Sequence, residues 1–429
     1  MAQKTATVRN TLSSASVGGT TDFSVSGFGT VAAAFIFVTF ANTTNNPAAN
    51  AGMAVGFWDG TNARVCGFKA LDNQGTTTVY QINNDGYGAA IPNAAGVASY
   101  YTVSNITDGI RLTLAVDNHS LAHYCFVTLI GGISAKALTL APGNNNGDTA
   151  TSPSLGFAPK LVFFMTTAFA LVDSEDTEAR FSFGVAGVPG AIVQRSITFR
   201  SRSGQSSEVA DQLFSETRIG GVLGLDVVFA TVEMTTLGAD TYTMTSRAGT
   251  GNWVDLGGPI AYQIALGGAD LSFDLGTFNT RTTTGTSQLT AAVAAESILL
   301  AFGTATGTSL ETGSGANGLG FGVADANGQF SQNVSVEDAA SPTNTNSAAQ
   351  AAEVLDLDSS SGGSRTDLVD ATVSSFNPPT LNYSVVDGTA RKGFYVAFGP
   401  PPSSGTRGVP FGTRGSAFNG GRAFAGVIR

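Results

Sequence analysis

The sequence is short of charge, cysteine and histidine, and it lacks a sustained helical period. Charged residues are 12% of 429, about half the roughly 25% usual in soluble proteins. They sum to 21 Lys+Arg against 31 Asp+Glu, a net −10. That acidic balance works against duplex binding, which needs clustered cations to displace counterions, so no nucleic-acid partner is expected. Two cysteines, Cys66 and Cys125, cannot make a disulfide-dense scaffold; both read as reduced and buried. The longest apolar run, Val31 to Ala41, is strand-sized and short of the roughly 18 residues of a membrane span. The opening Met1-Ala-Gln-Lys-Thr-Ala-Thr-Val-Arg9 has no apolar Sec core, so a chain made in the cytoplasm without export is expected. No GxSxG elbow appears, and His119 and His123 are the only histidines, a thin supply of bases for a serine triad.

What the chain does have is β-structure. Apolar stretches of four to eight residues, rich in Val, Ile, Phe and Thr, end in Gly, Asn, Asp or Pro, the pattern of strands and turns. Arg111–Val116 and Thr241–Thr245 alternate as half-exposed antiparallel strands do. Phe35–Phe40, Leu161–Met165 and Ser297–Phe302 are apolar at nearly every position, so they read as strands covered on both faces. Helix is plausible only at Leu289–Ala295 and Ser347–Leu355, where alanines cluster.

Three landmarks recur in one order. An apolar strand is entered near Phe35, Leu161 and Ile298. An apolar-Gly-apolar element follows at Gly56, Gly184 and Gly322, 128 and 138 residues apart. A closing strand ends at Gly131, Gly267 and Gly399, 136 and 132 apart. The expected fold is therefore all-β: three tandem antiparallel β-sandwich units, Ig-like or jelly-roll-like, at 1–132, 133–268 and 269–399. Residues 400–429 differ. They open with Pro400-Pro-Pro-Ser-Ser-Gly, carry no acid, and place Arg407, Phe411, Arg414, Phe418, Arg422, Phe424 and Arg429 in a near-repeating Gly-Thr-Arg pattern. Such a segment is too sparse to order itself and reads as an arm whose Arg and Phe side chains anchor it on a partner.

Several residue groups carry candidate chemistry. Asp117, His119, His123 and Cys125 have metal-ligand types close together, but they surround a turn and have no counterpart in the other units. Gly313-Ser-Gly315-Ala-Asn-Gly318 matches GxGxxG, yet a strand and not a helix follows it, so it reads as a loop. Asp173-Ser-Glu175-Asp176-Thr-Glu178 and Asp356-Leu-Asp358 offer hard oxygens without an EF-hand loop. Sequons at Asn42, Asn105, Asn118, Asn333 and Asn382 follow from a Thr/Ser/Asn-rich composition. Trp58, Trp253, Tyr80, Tyr87, Tyr100 and Tyr101 are candidates for stacking on sugars, although 28 of 39 aromatics are Phe, the core-filling type. No catalytic residue, metal or cofactor is expected.

Tandem β-units with an uncharged Thr/Ser/Asn/Gly surface, closed by a short anchoring arm, resemble the structural proteins of tailed-bacteriophage virions, of the capsid-decoration or fibre type. The resemblance is architectural and spans the chain. It implies a non-enzymatic component assembled in the host cytoplasm into the virion, contacting other virion proteins, copies of itself and a host surface glycan. Two other readings stand beside it: a bacterial surface adhesin or carbohydrate-binding protein, and a β-sandwich polysaccharide depolymerase.

Overall fold

The computed structural model describes residues 2–400, except 15, 42–47, 92–97, 119–120, 168–172, 177, 189–190, 203, 206–209, 257–259, 313–315, 338–341 and 362–363. Among the described residues the chain is all-β, with 33 strands and one 3-10 turn at Trp253–Leu256. Eleven strands fall in 1–132, eleven in 133–268 and eleven in 269–399. The three sets are wired alike. In each, the first, eleventh, third, fifth, sixth and seventh strands form one antiparallel sheet in that order, and the second, tenth, ninth and eighth form another.

The fourth strand of each set leaves its own unit. Asp173–Asp176 of the second unit pairs with Val79–Asn84 of the first. Glu311–Thr312 of the third pairs with Ala210–Ser215 of the second. Ala48–Ala49 of the first pairs with Thr345–Gln350 of the third. Every larger sheet thus has seven strands, the last one borrowed, and the lending runs in a closed circuit. The units are interlocked.

Side-chain alternation explains why the central strands are apolar throughout. Phe35, Phe37, Phe57 and Phe68 of the first unit meet Phe163, Phe181 and Phe183 of the second and Phe321 and Phe394 of the third in one shared core. The intervening Ile36, Val38 and Val65 face the smaller sheet and form a separate core with Phe23, Tyr101 and Leu112. The second and third units repeat this arrangement. Rings of different units touch at the centre: Phe35–Phe163 at 4.5 Å and Phe183–Phe321 at 4.9 Å, both edge-on. Removing one such buried ring costs about 3–5 kcal/mol.

The recurring glycines have a common cause. A Cβ on Gly56 would stand 1.8 Å from the Gly88 carbonyl oxygen, on Gly184 1.9 Å from that of Ile219, and on Gly322 1.6 Å from that of Val354. In each unit the chain crosses at this point from the large sheet to the small one, and only glycine lets the two backbones approach that closely.

Two sequence expectations need correction. Phe35 pairs with Thr128, Phe163 with Ile264 and Leu299 with Val396, so the opening landmark is out of phase by two residues at Leu161 and one at Ile298. An all-apolar strand carries no mark of phase. Ser347–Leu355 is not helical: Thr345–Gln350 is a strand whose Asn346 and Ser347 pair with the borrowed Ala48–Ala49 strand. Leu289–Ala295 forms neither helix nor strand.

Candidate functional site

The body has two distinct ends. At one, Ala2 and Pro400 line a single cavity of about 600 Å³ together with Lys160, Leu271 and Glu296. The predicted anchoring residues Arg407, Phe411, Arg414, Phe418, Arg422, Phe424 and Arg429 lie outside the described residues; what is described is where their segment departs. There the Ala294 amide donates to the Pro400 carbonyl at 2.9 Å.

Carboxylates tie this end together by accepting backbone amides. Asp59 accepts from Thr61 at 2.9 Å and Asn62 at 2.6 Å, and across the seam to the second unit from Ala137 at 2.7 Å. Its counterpart Asp325 accepts from Asn327 at 2.8 Å and, across the seam to the first unit, from Thr7 at 2.7 Å. Burial pushes the Asp325 carboxyl up, against the pull of its Asn327 bonds. At the remaining seam Gly187 takes this position, and a Cβ there would come within 2.7 Å of the Phe273 ring. Asp108 accepts from Gly27 at 2.9 Å and Gly29 at 2.8 Å, and these amides hold its carboxyl below the usual range. Asp240 does the same in the second unit for Leu155 and Gly156, with the Ser154 hydroxyl bond the largest cause of its lowered carboxyl.

The opposite end buries cations. Gly56, Gly184 and Gly322 pair with Val65, Ser196 and Ser331; four residues on, the same strands carry Lys69, Arg200 and Ser335. All three are buried. Arg200 donates to Asp211 at 2.6 Å, and both side chains are essentially unexposed, at 0% and 1%. Burial raises the Asp211 carboxyl more than Arg200 lowers it. Lys69 has no ion pair among the described residues; its Nζ lies 4.0 Å from the centre of the Phe40 ring, and burial pushes its ammonium down to about 8.

Among the described residues, the groups with metal-ligand character are acidic and belong to the third unit. Asp356 pairs across the ladder with Asp370, and Asp358 with Asp367. One oxygen each from Glu353, Asp356 and Asp370 lie within 4.8 Å of one another, as do those of Asp356, Asp358 and Asp367. This is a hard-oxygen set of the kind that Ca²⁺ or Mg²⁺ takes. Asn333 meets it, donating through Nδ2 to the Asp356 carbonyl at 2.8 Å and to Asp358 at 2.9 Å; that sequon asparagine is buried.

The other sequence candidates separate. Cys125 belongs to the first unit's own core and Cys66 to the shared core; both are free, and burial pushes both thiols up. His123 is buried with its ring 5.0 Å from that of Phe40, Asp117 is exposed, and His119 lies outside the described residues. Ala316–Asp325 is a strand, so no helix follows the glycine loop. Trp58, Trp253, Tyr80, Tyr100 and Tyr101 are buried, which removes them as a sugar-stacking face; Tyr87 is half-buried and stacked on Tyr100 at 4.8 Å. Arg200, Asp211 and Arg391 were not singled out by sequence reasoning. The available signal for Arg200 is a cation directly after the apolar Ile197-Thr-Phe199, although Arg195 and Arg202 flank it. No protein-family model and no curated protein matches the sequence.

Proposed function

We propose that the protein is a non-enzymatic structural component of a tailed-bacteriophage virion, decorating the particle or forming a spike or fibre that meets the host surface. In this reading 1–132, 133–268 and 269–399 are three copies of one jelly-roll-like unit, and 400–429 anchors them to other virion proteins. The observation that carries it is the polarity of a three-unit ring: the arm departs at Pro400 on the end stitched by carboxylates, leaving the loops of the other end to face outward. A body that repeats each turn three times meets a threefold-symmetric partner at three points at once, and linked contacts reinforce one another through effective concentration.

Deleting 401–429 tests the proposal. The truncated chain is expected to keep its melting temperature and to be missing from purified particles. Incorporation at full occupancy overturns the anchor. Should the truncation fail to fold, the full-length triple variant Phe411→Ala, Phe418→Ala, Phe424→Ala gives the same readout.

A further inference from the structure

We propose that the seam between the second and third units, at the end of the body opposite Pro400, is a binding site for a neutral saccharide. A cavity of about 450 Å³ opens there, lined by Thr304, Thr306, Glu311, Thr312, Asn317 and Arg391, within the range of small-ligand sites. Glu311 and Thr312 form the strand lent to the second unit, so the cavity, lined by the third unit, lies beside that seam.

Each polar wall group is held in place from behind. Arg391, 9% exposed, donates through Nη1 to the Thr304 carbonyl at 3.2 Å and through Nη2 to Asp387. Its Nε has no hydrogen-bond partner among the described residues, and a buried donor left so costs about 1–3 kcal/mol. Asn317 commits its Nδ2 to the Ala210 carbonyl at 3.0 Å, which leaves Oδ1 to accept. The Thr304 hydroxyl accepts from Gly318 at 3.0 Å and from Gln212 across the seam. Glu311 fixes Oε1 with the Thr306 amide at 2.6 Å and its hydroxyl at 2.8 Å, and Oε2 faces no such bond.

The chemistry of this set selects its ligand. One guanidinium and one carboxylate line the same space, so a free anion meets Glu311 and a free cation meets Arg391. Leu310 is the one aliphatic side chain in the lining, too little for an apolar ligand. Vicinal hydroxyls, each both donor and acceptor, match a wall of three threonines, an amide oxygen and an opposed charge pair. The proposal rests on the virion reading for its setting alone, because binding is read on the isolated chain while the arm is tested on particles.

The experiment titrates the full-length protein with glucose, galactose, mannose and N-acetylglucosamine, with sialic acid and glucosamine as charged comparators. Saturation-transfer NMR and calorimetry read the binding. At least one neutral sugar is expected to bind with a millimolar Kd, and Glu311→Gln is expected to weaken it tenfold or more with the melting temperature unchanged. Thr306→Val, on the exposed rim, serves as the second variant if Glu311→Gln does not fold and is expected to weaken binding at least threefold. Absence of binding by all four neutral sugars, preference for a charged comparator, or affinity unmoved by the folded variants each overturns the site.

Discussion

The two ends of this molecule place their charges differently. Both must close three seams between units that repeat one wiring. Where the chain departs at Pro400, carboxylates accept backbone amides: Asp59 and Asp325 across seams, Asp108 and Asp240 within turns. At the other end three cations are buried, Lys69, Arg200 and Arg391, each against partners of its own unit. A carboxylate that accepts turn amides near water, as Asp108 and Asp240 do, keeps its charge cheaply. A buried cation is desolvated, and only a well-placed partner offsets that cost.

The sharpest way to break this contrast is to remove Asp211. Arg200 would lose the buried carboxylate it donates to, and the expected loss is about 3–5 kcal/mol, read as a lowered midpoint in urea unfolding. Replacing both partners, Arg200→Met with Asp211→Leu, is expected to recover most of it. If Asp211→Ala alone costs less than 1 kcal/mol, the cation at this end is not desolvated as described.

Lys69 gives the next effect, and in the opposite direction. Its ammonium sits against Phe40 with no counter-ion among the described residues, and its folded value of about 8 lies below the ordinary 10.5. Between those two values the unfolded chain holds a proton that the folded one has released, so stability rises with pH across that window and is flat below it. Lys69→Met is expected to stabilise the protein at pH 7 by about 1–3 kcal/mol and to abolish the alkaline rise. Thermal unfolding at pH 7, 9 and 10.5 checks both parts.

The interlocking was only partly legible beforehand. Gly56, Gly184 and Gly322 stand out because a carbonyl sits where a Cβ would be, and a backbone constraint repeats faithfully in sequence. The phenylalanines of 35–40 announce burial on both faces because two cores claim alternate residues. The lent strands leave no such trace. Ala48–Ala49 and Glu311–Thr312 are two residues long, too short for any period, and their partners lie far away in sequence. The alanines of 347–355 suit a helix locally, but Thr345–Gln350 is claimed on one side by Gly328–Glu337 and on the other by the borrowed Ala48–Ala49, a tertiary cause that local propensity does not register. The seam cavity is invisible for the further reason that its walls come from 304–317 and 391, stretches of the third unit that lie far apart in sequence and meet only through its fold.

The smallest effect belongs to the carboxylate end and completes the pH contrast. The Ser154 hydroxyl and the amides of Gly156 and Leu155 hold the Asp240 carboxyl below its ordinary range. Its contribution is therefore fully present above that range and is lost as pH falls through the lowered value. Asp240 is exposed, so solvent screens the effect, and the change is best read locally. Asp240→Asn is expected to speed hydrogen exchange at the Leu155 and Gly156 amides severalfold at pH 7 while the global melting temperature moves little. Lowering the pH of the unmodified protein through the carboxylate range reproduces the same local loosening, while Lys69, already charged there, adds no acid response of its own. Leu155 and Gly156 amides that loosen in acid as much in Asp240→Asn as in the unmodified protein would show that this carboxylate does not hold the turn.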